Sequence, residues 1–221
     1  MPASAGRGIL AGMSDDCCAS KGLELERLAQ EAGQRRVLVA VLLINAVMFV
    51  AEFGGGLVAG STALMADALD NLGDALVYAV SLYAITRSER WKAGAAAFKG
   101  VFILLLGVSI VVNVAIKIGS GVAPSSSLML MFGAAALAAN LACLALLWRF
   151  RSHDVNMAST FECSRNDVVS NCGVLLAAAA VGVTGSSWPD ILIGSVMALI
   201  VLRSAVRVLR AAIAQIRSAR A

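Results

Sequence analysis

Three aspartates, Asp67, Asp70 and Asp74, fall within the nine residues ADALDNLGD of an otherwise apolar stretch. On a helix of 3.6 residues per turn, positions i, i+3 and i+7 lie within about 60° of one another, so the three acids form one stripe. Asp70 and Asp74 are one turn apart, close enough to share a cation. Two neighbouring carboxylates in low dielectric cannot both stay ionised without a partner; they want a cation or protons. Asn71 sits beside them and could orient a carboxylate. A second stretch, FECSRNDVVSNCGVLL, sets Cys163 and Asp167 at i and i+4, with Asn171 one further turn along. If the two helices face each other, Asp70, Asp74, Cys163 and Asp167 supply the four ligands of a tetrahedral divalent site. Three hard oxygens and one thiolate suit Zn²⁺ or Cd²⁺ better than Mg²⁺ or Ca²⁺; Co²⁺ and Fe²⁺ are further candidates. Asp67 is left outside this set as a supporting group. Glu52 and Asn45, seven residues apart on one helical face, are read as supporting or proton-coupling groups, as is Asn71.

The elements that must carry these residues are membrane helices. Of the 221 residues, 59% are hydrophobic and 14% charged, against the roughly 25% charged residues of a soluble domain. Mean hydropathy is +0.83. The apolar residues come in long runs, which places the chain in the membrane class. Six spans are expected at 37–59, 62–86, 96–118, 126–148, 157–184 and 188–214, each near or above the ~20 residues a bilayer helix needs. The fold class is therefore an all-α integral membrane domain over 37–214. A tail over 1–36 precedes it and a short tail over 215–221 follows.

Charge placement gives the orientation. Arg27, Arg35 and Arg36 precede the first span. Arg87, Arg90 and Lys92 follow the second, Arg149 and Arg151 the fourth, and Arg207, Arg210, Arg217 and Arg220 lie at the end of the sixth. The opposite connections, GST, SGVAPSSS and TGSSWPD, carry no base, and Lys117 just inside the third span is the nearest. By the positive-inside rule both termini are cytoplasmic. The net charge of +4 is a topology signal of this kind and does not point to nucleic acid. The first 36 residues lack the apolar core of a secretory signal.

Other polar residues read more plainly. Lys99 lies near the cytoplasmic end of the third span, where it can snorkel. Lys99 and Arg165 are the bases that could pair with the buried acids. Cys143 and Cys172 are expected in the core. Cys17 and Cys18, next to SDD, offer adjacent thiols and acids that could capture a soft metal; a tail with incidental cysteines is the alternative. The triplet GGG at 54–56 is expected to allow close helix packing.

At its two acidic motifs the chain resembles the cation diffusion facilitator, or cation efflux, family of divalent-metal/proton exchangers. ADALDNLGD fits that family's second helix, with Asp70 and Asp74 at its ligand positions. CSRND fits its fifth, with Cys163 where the family usually has histidine and Asp167 at the aspartate. NAVMFVAEFGGGLVAGSTAL, DVNMAST and WPDILIGSVMALIVLRSAVRVL extend the likeness over about 37–214. The resemblance implies metal/proton antiport by alternating access, with no prosthetic group, in a bacterial plasma membrane. Metal ion, protons and the lipid bilayer are the implied partners. So few residues follow the sixth span that the expected branch is one lacking the family's cytoplasmic C-terminal domain, and any homodimer would form through the membrane helices. TRSERWKAG has no His or Asp for a second site between helices two and three.

The main rival is an integral membrane phosphotransferase of the CDP-alcohol type, also a small helical protein with paired aspartates and metal. The Asp-Gly-x-x-Ala-Arg run it needs is absent. An intramembrane aspartyl protease lacks its first glycine at Leu72-Gly73-Asp74 and its Tyr-Asp partner.

Overall fold

The computed structural model describes residues 32–84, 89–148 and 155–218. All the regular structure in them is helical: α1 (Ala32–Ala59), α2 (Thr62–Ala84), α3 (Glu89–Ser120), α4 (Ser126–Trp148), α5 (Val155–Thr184) and α6 (Trp188–Ser218). All six expected helices are present. Several run beyond the expected spans, α3 by seven residues at its start and α6 by four at its end, because charged flanks continue the helix past the apolar run.

Among the described residues, five helices are long and apolar enough to cross a membrane: α1, α3, α4, α5 and α6. The exception is α2. Every 18-residue stretch of it contains Asp67, Asp70 and Asp74 together, too many acids for a lipid-facing helix. Packing resolves the conflict, because α2 touches all five other helices. From Ser61 to Leu69 every residue is buried, the pattern of a helix covered all round. The most extensive pairings are α1 with α2, α3 with α6, and α4 with α5. The outward faces carry exposed Leu43, Val47, Leu105, Leu176, Leu199 and Ile200, a lipid-facing surface that would be a liability in water.

Glycines set how closely the helices approach. A Cβ on Gly55 would lie 2.5 Å from the Phe132 ring, and one on Gly56 would lie 2.7 Å from Met65. The GGG triplet therefore does serve packing, though Gly54 faces open space. Gly100 and Gly107, two turns apart on α3, meet Leu209 and Leu202 of α6 in the same way, the small-residue contact typical of membrane helices.

The turn from α1 to α2 is tightly specified. Gly60 takes a positive φ of 65°. Ser61 N donates to Gly56 O at 2.8 Å and Gly60 N to Leu57 O at 3.3 Å, which is a Schellman C-cap. Ser61 then caps α2, its Oγ accepting from Leu64 N at 3.1 Å. Asp190, in the first turn of α6, completes the cap from another helix. It accepts from Thr62 N at 2.9 Å and Ala63 N at 3.1 Å, placing negative charge at the positive end of α2. Ser61 Oγ and Thr62 Oγ1 each donate to its carboxylate at 2.6 Å, and Lys117 Nζ of α3 does so at 2.6 Å. Lys117 also donates to Gly60 O. One buried carboxylate thus ties the α1–α2 turn, α3 and α6 together.

Candidate metal pathway and acid network

Asp70 and Asp74 leave α2 on the side facing α3 and α6. Both line a partly open cavity of about 30 Å³, roughly the space of one water molecule. Its polar lining is Asp70, Asp74, Lys99 and Ser204; Leu69, Ile103, Val201, Ala205, Val208 and two glycines make up the rest. Asp74 is buried and Asp70 half-buried. Lys99, expected to snorkel, lines this cavity and is only 8% exposed.

Asp67 points elsewhere, to a second polar cluster that crosses four helices. Its Oδ2 accepts from Asn171 Nδ2 of α5 at 2.9 Å. Asn140 of α4 extends the chain, donating to Asn171 Oδ1 at 3.4 Å. On the other side Asp67 meets the carboxyl of Glu52 on α1. Asn71 donates to Glu52 Oε2, while Glu52 Oε1 finds no donor among the described residues. Glu52 is fully buried and Asp67 nearly so. Two carboxyls facing each other in such surroundings are held by a shared proton or a cation.

The remaining site residues divide. Asp167 is half-buried on α5 and outside the lining of the Asp70–Asp74 cavity. Asn171, one turn on, donates to the Asp167 backbone oxygen at 2.9 Å as well as to Asp67. Cys163 falls on α5, but its side chain lies outside the described residues, as do Cys17 and Cys18. Among the described residues no three His, Cys, Asp or Glu side chains gather closely enough to hold a metal. Asn45 does not join Glu52 in the acid cluster. It donates to Val41 O of its own helix at 2.9 Å and approaches Cys143 Sγ of α4 at 3.9 Å. Cys143 is buried as expected, whereas Cys172 is exposed. The inward face of α5 is set by Asn171, Val174, Ala178 and Val181, and residue 172 lies a third of a turn away from it.

The sequence reading missed Asp190. A lone acid after Trp-Pro on the base-free side, with Lys117 the only nearby base, was the available signal.

An acid-bearing helix wrapped by five others, with paired aspartates on a water-sized cavity, can be compared with known proteins. The model of the cation efflux transmembrane domain matches residues 38–216. The chain belongs to the cation efflux family. Similar curated proteins include the metal cation efflux system protein CzcD of Cupriavidus metallidurans, 25% identical over 77% of this chain and 58% of that protein. The zinc transporter ZitB of Yersinia pestis is 28% identical over 82% of this chain and 62% of the relative. The cadmium, cobalt and zinc/H⁺-K⁺ antiporter of Bacillus subtilis is 25% identical over 78% and 60%. The chain thus spans about three-fifths of the length of these relatives. As a member of the family with five strongly apolar helices, it is a multi-pass membrane protein.

Proposed function

We propose that this chain is a transporter, not an enzyme, that exports Zn²⁺ or Cd²⁺ across a bacterial plasma membrane in exchange for protons. The observation that carries the reading is the placement of Asp70 and Asp74 together on a water-sized cavity in α2, the helix shielded by all the others. Ionisable groups at such depth are costly and mark ion pathways. The names of the relatives, which speak of efflux of metal cations, zinc transport and H⁺-linked antiport, support the cargo and the coupling. Membership of a transporter family leaves the phosphotransferase alternative without support.

In this reading all six helices span the bilayer with both termini in the cytoplasm, as the placement of Arg and Lys indicates. Asp70, Asp74, Asp167 and the thiolate of Cys163 take the ion from the cytoplasm. Joining them requires α5 to bring Asp167, which lies outside the lining of the Asp70–Asp74 cavity, toward that face of α2, a rearrangement suited to alternating access. On the far side, protons compete for the same carboxylates and the metal leaves. The Glu52–Asp67 pair, with Asn71 and Asn171 holding its outer oxygens, is the proton-coupling element. Assembly as a homodimer through the membrane helices belongs to the same reading.

Uptake of Zn²⁺ or Cd²⁺ into inside-out vesicles under a pH gradient tests it. Asp74→Ala and Asp167→Ala should each abolish uptake. Wild-type flux surviving in both variants would sink the assignment.

A further inference from the structure

The cavity of Asp70 and Asp74 holds a third charged group that metal chelation does not call for. Among the described residues Lys99 is the single basic residue of its lining. It sits five residues inside the apolar stretch of α3 that starts at Gly94, about 7.5 Å along the helix axis. An ammonium at that depth must face anions or reach water, and the acids sharing its space are Asp70 and Asp74. A space of about 30 Å³ remains beside Lys99 in this cavity, enough to admit a guest of water size. An ammonium and a divalent ion drawn to the same two carboxylates repel each other and so compete for them.

Lys99 also borders a second space. It lines a wider, open cavity with Leu76, Val80, Trp91, Gly94 and Phe98, displaced toward the start of α3. The flexible four-carbon stem of lysine gives its head reach toward the outer space, whose open side lets an ammonium snorkel to water, with Trp91 in the lining as an aromatic neighbour for a cation.

We propose that Lys99 is a tethered competitor of the transported metal. With no metal bound, its ammonium neutralises Asp70 and Asp74. When the ion enters, the ammonium withdraws into the cavity beside Trp91. The proposal rests on Asp70 and Asp74 being metal ligands and adds what empties and resets them. Metal affinity is lowered by a built-in cation, and the empty carrier returns with its carboxylates already compensated.

The test is Zn²⁺ binding to the purified protein by competition with a chromophoric chelator, together with Zn²⁺ flux in proteoliposomes. Lys99→Gln should bind Zn²⁺ about tenfold more tightly and turn over more slowly at saturating Zn²⁺, because release loses its competitor. Lys99→Arg, which keeps the charge, should stay within about threefold of wild type in binding. Unchanged or weaker binding by Lys99→Gln overturns the proposal; weaker binding with a lower melting temperature would identify a structural ion pair. Asp74→Asn in the same assay should lose binding. If it binds as wild type does, the ligand assignment fails independently of Lys99. A measurement on the wild type covers the case in which Lys99→Gln does not fold. Zn²⁺ should raise labelling of Lys99 by an amine-reactive probe several-fold relative to Lys117, read by mass spectrometry. Labelling that is unchanged or reduced overturns the proposal.

Discussion

Lys117 Nζ lies 2.6 Å from Asp190 Oδ2, both groups buried, and the pair joins α3 to the first turn of α6. The two residues do not depend on each other equally. Asp190 keeps two hydroxyls and two α2 amides if Lys117 is removed. Lys117 keeps a carbonyl oxygen, Gly60 O, if Asp190 is removed. Removing one partner of a buried pair costs about 3–5 kcal/mol, and loss of a helix cap adds about 1 kcal/mol. Asp190→Ala should therefore destabilise the protein more than Lys117→Met. Thermal unfolding of both variants in the same detergent checks this; equal melting temperatures would show that the capping of α2 contributes nothing.

Glu52→Gln separates binding from coupling. The glutamine side chain can still accept from Asn71 and can donate an amide hydrogen to Asp67, so the buried cluster stays satisfied. It can no longer share or pass a proton. Zn²⁺ affinity should remain within a few-fold of wild type, while Zn²⁺ uptake driven by a pH gradient should fall at least tenfold. Gradient-driven uptake that persists at the wild-type rate would remove Glu52 from the coupling step.

Cys163→His tests the soft ligand. Thiolate favours Cd²⁺ over Zn²⁺ more than imidazole does. The ratio of Cd²⁺ to Zn²⁺ transport should fall several-fold in the variant, measured in the same vesicles. An unchanged ratio would show that the sulfur does not touch the ion.

Much of the architecture was legible because lipid imposes a simple rule: long apolar runs must be helices. Five of the described helices follow from that rule, while α2 is an apolar run broken by the acid stripe and has to be covered by the others. Helix ends were less legible, since an apolar run reports bilayer thickness and the helices of this chain outlast it. Partnerships between distant residues were not legible at all. Lys117 and Asp190 are 73 positions apart; in one dimension the first looks like a stray topology charge and the second like an ordinary acid in a first helical turn. Lys99 was read as snorkelling because its sequence position gives depth but not the face toward α2. Asp67 and Glu52, by contrast, were both flagged from type and depth alone, and their meeting across α1 and α2 is the tertiary fact the sequence withheld. Cys172 was misplaced because burial on α5 follows Asn171, a polar residue that hydropathy sets on the wrong side.

Gly194 provides the closest backbone contact against which to test this packing. A Cβ there would lie 2.7 Å from the Thr62 carbonyl carbon and 2.8 Å from Ala63 N. Backbone cannot yield as a flexible side chain does, so Gly194→Ala must push α6 away from the start of α2. Overpacking of this kind costs about 1–3 kcal/mol. Gly54→Ala is the internal control: a Cβ there meets nothing within 4 Å, and alanine in a helix interior is favoured over glycine by about 0.5–1 kcal/mol. Gly194→Ala should lower the melting temperature and Gly54→Ala should hold or raise it. Gly194 lies one turn after Asp190, so the displaced α6 also draws the Asp190 carboxylate off the α2 amides. The double variant Gly194→Ala/Asp190→Ala should then lose less stability than the sum of its parts, since both changes remove the same cap. Strict additivity in thermal unfolding would mean that α6 absorbs the methyl group by local adjustment, with the Asp190 cap undisturbed.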